Sequence, residues 1–398
     1  MAKHIKKRKK NNISTALNDT QKCINYLKSH YRFRYNTVKK TTEYCPNGEK
    51  MFRYLEDDDF RSIRINIEKD NKVNFKCSRE LLKDIIFSNS TWKKFDPFKN
   101  WIDKLPKWDG KDHIAMLAST IHSTDDKYFC WTLRKWLVGF VACLYYDDET
   151  NQTCFFLCGK QGDGKSTWLR NLLPEEVNDY YYEGSIDFSD KDSKIRLGEV
   201  ALINLDEGNS LKSKDIDNLK ELITMKKIKL RRAYAHMPSV FIRRCSFCGS
   251  ANNEKILNDM TGNRRFLCHS VISIKYQHNV DMKQVFAQAM HIFRTKKFNG
   301  KDFYYWFDDK EQTIVEKYNK KFRNQSLEEM LIEEMYEKCI LGAKGYKLLT
   351  ATEITNNLMQ RNPGQRLSPQ KVGTTLSMMK FKDHIAHGGI HKWVVKEK

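Results

Sequence analysis

Apolar positions along the chain change period several times, and the changes divide it into segments. Helical spacing runs through TQKCINYLKSHY; two strand-like stretches, YRFRYNTVKKTTEY and FRSIRINIEKD, flank the turn signal CPNGE; SRELLKDIIFS returns to helical spacing. Residues 13–100 are therefore expected to form an α+β N-terminal module, to which the pattern assigns no chemistry. FDPFKNWIDKLPKWDGKDHI is punctuated by Pro and Gly and anchored by aromatic residues, and YFCWTLRKWLVGFVACLYYDD reads as a strongly apolar helix. Together they predict a helical collar over residues 101–150.

From 151 to 275 the pattern becomes strand, glycine loop, helix, strand, acidic pair, helix, hairpin and strand, an α/β core; residues 276–325 form a helical extension. The last segment, 326–398, reads as the helices LEEMLIEEMYEKCI, TATEITNNLMQ and SPQKVGTTLSMMKF, followed by a basic hairpin turning at Gly388-Gly389. Thr350 or Thr352 caps the second helix, and Ser368 before Pro369 the third. This order predicts a C-terminal winged-helix-like domain, with Lys371, Thr374 and Lys380 on the recognition helix and Lys392 on the wing facing DNA.

Composition narrows the partner. The formal charge of +21 exceeds what solubility requires and points to a polyanion, nucleic acid before membrane. The start MAKHIKKRKK, within residues 1–12, reads as a disordered basic arm touching phosphates without sequence preference. No apolar run approaches the ~20 residues that span a bilayer, and no signal-peptide core follows the basic start, so no membrane partner is expected and the cytoplasm of a bacterial host is the expected location. The 11 cysteines lack a framework spacing and read as reduced core thiols. Cys245 and Cys248, with Cys268-His269 beyond, fall in strand-like runs whose alternate side chains diverge, a poor zinc arrangement.

The chemistry begins at FFLCGKQGDGKSTWLR. Gly159, Gly164, Lys165 and Ser166 fit G-x-x-x-x-G-K-S/T between a β-compatible run, Thr153–Cys158, and a helix, KSTWLRNLL. In that context the loop residues Gly159, Lys160, Gln161, Gly162, Asp163 and Gly164, with Thr167 near the helix start, are expected to cradle the phosphates of ATP. Lys165 would reach the β and γ phosphates, and Ser166 would hold Mg²⁺. VALINLDE supplies a second strand ending in carboxylates: Asp206 for the Mg²⁺ shell and Glu207 as general base. RRCSFCGSANN ends a further strand, placed between the first two, with Asn252 or Asn253 facing the γ-phosphate or the attacking water. In TGNRRF a glycine turn presents Arg264 and Arg265, either of which suits an arginine finger for a neighbouring subunit's nucleotide.

The compact order of loop, acidic pair and asparagine resembles superfamily 3 helicases, AAA+ motors of viral and plasmid replication. The closer resemblance is to the virulence-associated protein E family of phages and genomic islands. DPFKNWIDKLPKWDGKDHI, GKQGDGKST, ALINLDE, FCGSANNEKILNDMTGNRRF and VFAQAMHIF stand in that family's order over residues 96–325. The resemblance implies an α/β P-loop AAA+ ATPase core, a homo-oligomer with a hexamer expected, and Asn252 as the sensor residue. GSAN departs from the family's more usual Thr before Asn. It also implies that Lys229, Arg231, Arg232, Tyr234 and His236 lie on a hairpin projecting into the ring's channel, against single-stranded DNA.

The function expected is an ATP-dependent DNA helicase acting in replication of a phage, plasmid or genomic island, on single- and double-stranded DNA. The competing reading is an ATP-regulated origin-binding or loading factor, which would hydrolyse ATP without displacing a strand. A signalling NTPase is disfavoured by the charge and the motif order. No paired-carboxylate centre precedes the collar, so a separate primase or initiator is the expected partner.

Overall fold

Asn18 accepts the amide of Gln21 at 2.9 Å and so opens the first helix, α1 (Asp19–His30). The computed structural model describes residues 18–184, 186–187, 190–205, 213–231, 237–257, 262–386 and 389–398; the basic arm of residues 1–12 lies outside them. The chain divides into two units between Lys104 and Leu105.

In the first unit β1 (Tyr31–Asn36) and β2 (Thr41–Pro46) follow α1 as an antiparallel hairpin, with Lys40 in the turn at φ +49°. YRFRYNTVKKTTEY is thus two strands, not one. After β3 (Arg53–Tyr54) comes α2 (Asp57–Lys69), and this corrects the second strand expectation: FRSIRINIEKD is helical. Its β-branched residues suggest a strand, yet Phe60, Ile63 and Ile67 bury one helical face, and a capping box between Glu56 and Asp59 fixes the start. α3 (Arg79–Phe87), β4 (Lys93–Phe95) and α4 (Pro97–Asp103) complete the unit, whose four strands run β3-β2-β1-β4.

The second unit begins with α5 (His113–Ala118), β5 (Ile121–Ser123) and α6 (Asp126–Tyr145), followed by β6 (Cys154–Cys158), α7 (Lys165–Arg170), β7 (Tyr181–Glu183), α8 (Lys191–Glu199) and β8 (Leu202–Leu205). α9 (Ser213–Thr224), the hairpin β9 (Lys227–Leu230) and β10 (Ser239–Ile242), β11 (Ser246–Ala251) and β12 (Phe266–Ile274) follow. The result is a mixed α/β fold around a six-stranded sheet, β5-β12-β6-β11-β8-β7, parallel except for β5. β11 lies between β6 and β8, the expected place for the strand leading to Asn252.

β6 reads CFFLC because helices cover both its faces. Cys154, Phe156 and Cys158 join the core formed with α8 and α9, whereas Phe155 meets Phe129 of α6 at 5.5 Å. Burial pushes the thiols of Cys154, Cys158, Cys245, Cys248 and Cys268 upward, as inert core thiols require.

α6 is buried almost all round, including two cations. Arg134 pairs with Asp112 at 2.7 Å, and Lys135 pairs with Glu311 at 2.8 Å and donates to the carbonyls of Tyr304 and Trp306. α10 (Met282–Thr295) packs on α5 and α6; its buried Gln288 donates to Asp112 at 2.8 Å and accepts from the Ile114 amide. The short pair β13 (Lys297–Phe298) and β14 (Lys301–Asp302) leads to α11 (Asp309–Asn319), whose capping box carries Glu311.

His269, buried under α6 with Nε2 3.0 Å from Thr132 Oγ1, has its pKa pulled down to about 3 by desolvation, with Lys321 adding to the shift. A folded-state pKa below the unfolded 6.5 means that protons bind the unfolded chain preferentially between these values, so stability present above pH 6.5 is lost as pH falls toward 3. Urea unfolding is expected to show a loss of about 1.4 kcal/mol per pH unit from this group, a slope that His269→Gln flattens.

The C-terminal segment contains α12 (Leu327–Met335), β15 (Tyr336–Lys338), β16 (Tyr346–Leu349), α13 (Ala351–Arg361), α14 (Pro369–Met378), β17 (Lys382–Ala386) and β18 (Ile390–Glu397). LEEMLIEEMYEKCI is only partly helical: Tyr336–Lys338 leaves the helix to pair with β18. Thr350, not Thr352, caps α13, in a capping box with Glu353, while Ser368 makes no side-chain cap ahead of Pro369. The three helices share a core with β18 through Ile332, Leu358, Leu376 and Trp393. Among the described residues, no helix is long and apolar enough to cross a membrane.

Candidate functional site

The glycine loop leaves β6 at its carboxyl end and returns as α7, at the edge where parallel α/β sheets hold ligands. Its entry is pinned to β11 by the Gly159 amide, which donates to the Ala251 carbonyl at 3.1 Å. Its exit is Gly164, at φ +85°, the N-cap of α7.

Inside the loop Lys165 is buried, and its Nζ donates to the carbonyls of Gly159, at 3.0 Å, and of Lys160. Burial holds the ammonium below its usual pKa, against the opposing pull of Asp163 and Cys158. Ser166 Oγ lies 3.0 Å from Ser250 Oγ, so the serine of GSAN touches the head of α7. Gln161, Gly162, Gly164, Lys165, Ser166, Thr167, Ser250 and Asn252 line a cleft of about 330 Å³. That volume lies at the small end of ligand pockets.

The two asparagines separate here. Asn253 Oδ1 accepts from the Lys255 amide at 2.9 Å and so works as a turn residue, whereas Asn252 lines the cleft. β8 reaches the same edge, with Leu205 opposite Gly249; Asp206 and Glu207, the next residues, lie outside the described residues.

The arginine pair is elsewhere. Phe266 is opposite Cys154, so Arg264 and Arg265 stand at the amino end of β6, one strand length from the loop, about 16 Å at 3.3 Å per residue. Arg264 is exposed and donates to Gln312 at 2.8 Å. Arg265 is half-buried, and both desolvation and Arg264 lower its pKa. The two face a second cleft of about 440 Å³, with Gln152 and Trp306 on its wall.

The expected DNA contacts are dispersed. On the β9–β10 hairpin, Ile228 and Phe241 turn into the core while Lys229 and Arg231 are exposed; Arg232, Tyr234 and His236 lie outside the described residues. On α14, Lys371 and Thr374 are exposed, although the Thr374 hydroxyl donates back to the Gln370 carbonyl; Lys380 is exposed after the helix, and Lys392 is half-buried on β18. The groove between α14 and the hairpin also carries Met378 and the Asp383–His391 pair, at 3.0 Å.

Sequence reasoning missed Tyr276, just beyond β12. Its ring packs against Gly164 so closely that a Cβ there would meet ring carbon Cδ1 at 2.4 Å. Gly164→Ala is therefore expected to cost at least about 1–2 kcal/mol from the left-handed backbone alone, with the ring overlap in addition, read as a lowered urea midpoint.

A glycine loop and polar strand ends gathered at the carboxyl edge of a parallel sheet define an α/β protein compatible with a nucleotide-binding core. Residues 102–324 match the virulence-associated protein E-like domain, and the chain belongs to that family. Among solved structures it is similar to the apo structure of the NrS-1 C-terminal region (305–718), with TM-score 0.51 and 10% identity over 96% of this chain and 100% of that one. It is also similar to an A-form apo structure of the same region, with TM-score 0.51 and 12% identity over 95% and 100%. At these identities the likeness is one of fold. No curated protein matches the chain.

Proposed function

We propose that the chain is the ATP-hydrolysing subunit of a DNA motor, a P-loop AAA+ helicase of superfamily 3 serving the replication of a phage, plasmid or genomic island. The observation that carries this reading is the gathering of Lys165, Ser166, Ser250 and Asn252 around one cleft at the carboxyl edge of adjacent parallel strands.

The residues divide the work. Backbone amides of the loop and the head of α7 bind phosphate oxygens, and Lys165, already desolvated, meets the β and γ phosphates with little hydration left to shed. Asn252 orients the γ-phosphate or the water, and Glu207 takes its proton. The paired hydroxyls of Ser166 and Ser250 suit a hard cation; Ser166 with Asp206 would hold Mg²⁺, which supplies charge neutralisation on the phosphates.

The distance from the arginine pair to the loop of its own chain favours delivery to a neighbour in a ring, with a hexamer as the working assembly. The exposed cations of the β9–β10 hairpin would face one DNA strand, and the C-terminal helices and hairpin would act as a winged helix on duplex DNA through Lys371 and Lys392. A separate primase or initiator would supply the start.

The test is ATP turnover with and without single-stranded DNA, comparing wild type and Glu207→Gln, followed by strand displacement on a forked duplex. DNA-stimulated turnover lost in the variant, together with displacement, is the expected result. Turnover without displacement leaves the loader; turnover indifferent to both DNA and Glu207 removes the motor.

A further inference from the structure

The module of residues 18–104 precedes all but a few residues of the matched family domain, and its sheet has a chemistry that the sequence pattern did not suggest. In β1, Tyr31, Phe33 and Tyr35 pack with the helices, so Arg32, Arg34 and Asn36 point to the opposite face. Pairing carries that second face across the sheet. Arg34 is opposite Glu43 on one side and Lys93 on the other, Asn36 is opposite Phe95, and Glu43 is opposite Tyr54. The core cluster of the module draws on the first face, not on these residues.

On the second face cations alternate with rings. The Arg34 guanidinium lies 3.5 Å from the Phe95 ring centroid and 4.2 Å from that of Phe52; Arg32 lies 5.4 Å from Phe52, and Lys39 4.3 Å from Tyr54. Arg34 is already committed, since its Nε meets Glu43 at 2.5 Å and Glu43 also takes Asn36 Nδ2 at 2.7 Å. It therefore acts as a rigid spacer between two rings, and the outward charge comes from Lys93 and from Arg32, both exposed, Arg32 also donating to Cys45 Sγ at 2.9 Å and to the Glu49 carbonyl.

We propose that this sheet face is a platform for single-stranded nucleic acid, with unpaired bases stacking on Phe52, Tyr54 and Phe95 and with Arg32, Lys39 and Lys93 meeting the phosphates. Rings alternating with cations above the buried Asn36 and Glu43 suit bases whose faces are free, and a duplex hides those faces. From β3 to β4 the platform is three strand spacings wide, about 14 Å, room for two or three bases. An acidic peptide would use the cations but gain little from the rings. The inference rests on this module alone and not on the ATPase reading.

The test is fluorescence anisotropy of a labelled oligo-dT, with oligo-rU and a blunt duplex as further arms, on the full chain without nucleotide. Phe52→Ala/Tyr54→Ala is expected to weaken oligo-dT or oligo-rU binding about tenfold or more while duplex affinity is kept. Arg32→Glu/Lys93→Glu, which leaves the rings in place and guards against misfolding of the first variant, should weaken binding and reduce the salt slope by about 1.4, because two phosphates are no longer neutralised. Ultraviolet cross-linking should place an adduct on Phe52, Tyr54 or Phe95. Wild-type affinity in both variants, equal loss on duplex and single strand in the ring variant, or a polyglutamate peptide competing while the ring variant still binds oligo-dT as wild type does, each overturns the proposal. Because no nucleotide is present, these outcomes leave the motor reading untouched, and loss of ATP turnover in catalytic variants leaves this one untouched.

Discussion

Lys165→Ala is expected to lower ATP turnover by about 10²- to 10³-fold while the protein stays folded, the scale of losing one preorganised donor at a developing charge. The argument is one of desolvation. Lys165 is buried with its ammonium on the carbonyls of Gly159 and Lys160, and burial lowers its pKa. Its removal discards a charge that the fold holds at a cost, so thermal unfolding in the absence of ligand should not fall, and what disappears is the contact with phosphate. Phosphate release and a melting curve on the same preparation check both halves. Full turnover in the variant would end the reading of this loop as the ATP site.

Arg264→Ala/Arg265→Ala is expected to reduce turnover more steeply, by about 10³- to 10⁵-fold, the range of a cation that completes a phosphoryl-transfer site. The defect should be repairable between subunits. The pair stands at the amino end of β6 and the loop at its carboxyl end, so in the proposed ring the two would serve different nucleotides. Mixing this variant one to one with Lys165→Ala restores a complete site wherever an intact loop meets an intact arginine pair, about a quarter of the interfaces in a randomly mixed ring. Recovered turnover in the mixture of two inactive proteins is the expected result. No recovery despite confirmed subunit exchange would mean that the arginines serve some other purpose.

What was legible in the sequence was what a contiguous stretch dictates. The strand–loop–helix at Thr153–Arg170 could be read because phosphate-binding geometry needs glycines at fixed positions, and a strand covered on both faces is apolar throughout. The position of β11 between β6 and β8 also matched its expectation. FRSIRINIEKD was misread because its isoleucines carry strand propensity, while the helical spacing of Phe60, Ile63 and Ile67, which burial rewards, is the weaker local signal. The contact of Ser250 with Ser166 and the approach of Tyr276 to Gly164 join residues from distant segments, and no local pattern announces either. Likewise the division of labour between Asn252 and Asn253 depends on which one caps the turn at Lys255.

The enclosure of α6 has a consequence for synthesis. Lys135 finds its carboxylate in Glu311, 176 residues later, and Arg134 shares Asp112 with Gln288 of α10. At about 5–20 residues per second that interval is roughly 9–35 s, during which α6, with α5 already beside it, has left the ribosome without α10 and α11 to cover it. Full enclosure of α6 therefore waits on these late partners, and the yield of this protein in a cell should depend on holding chaperones as well as on the stability of the finished fold.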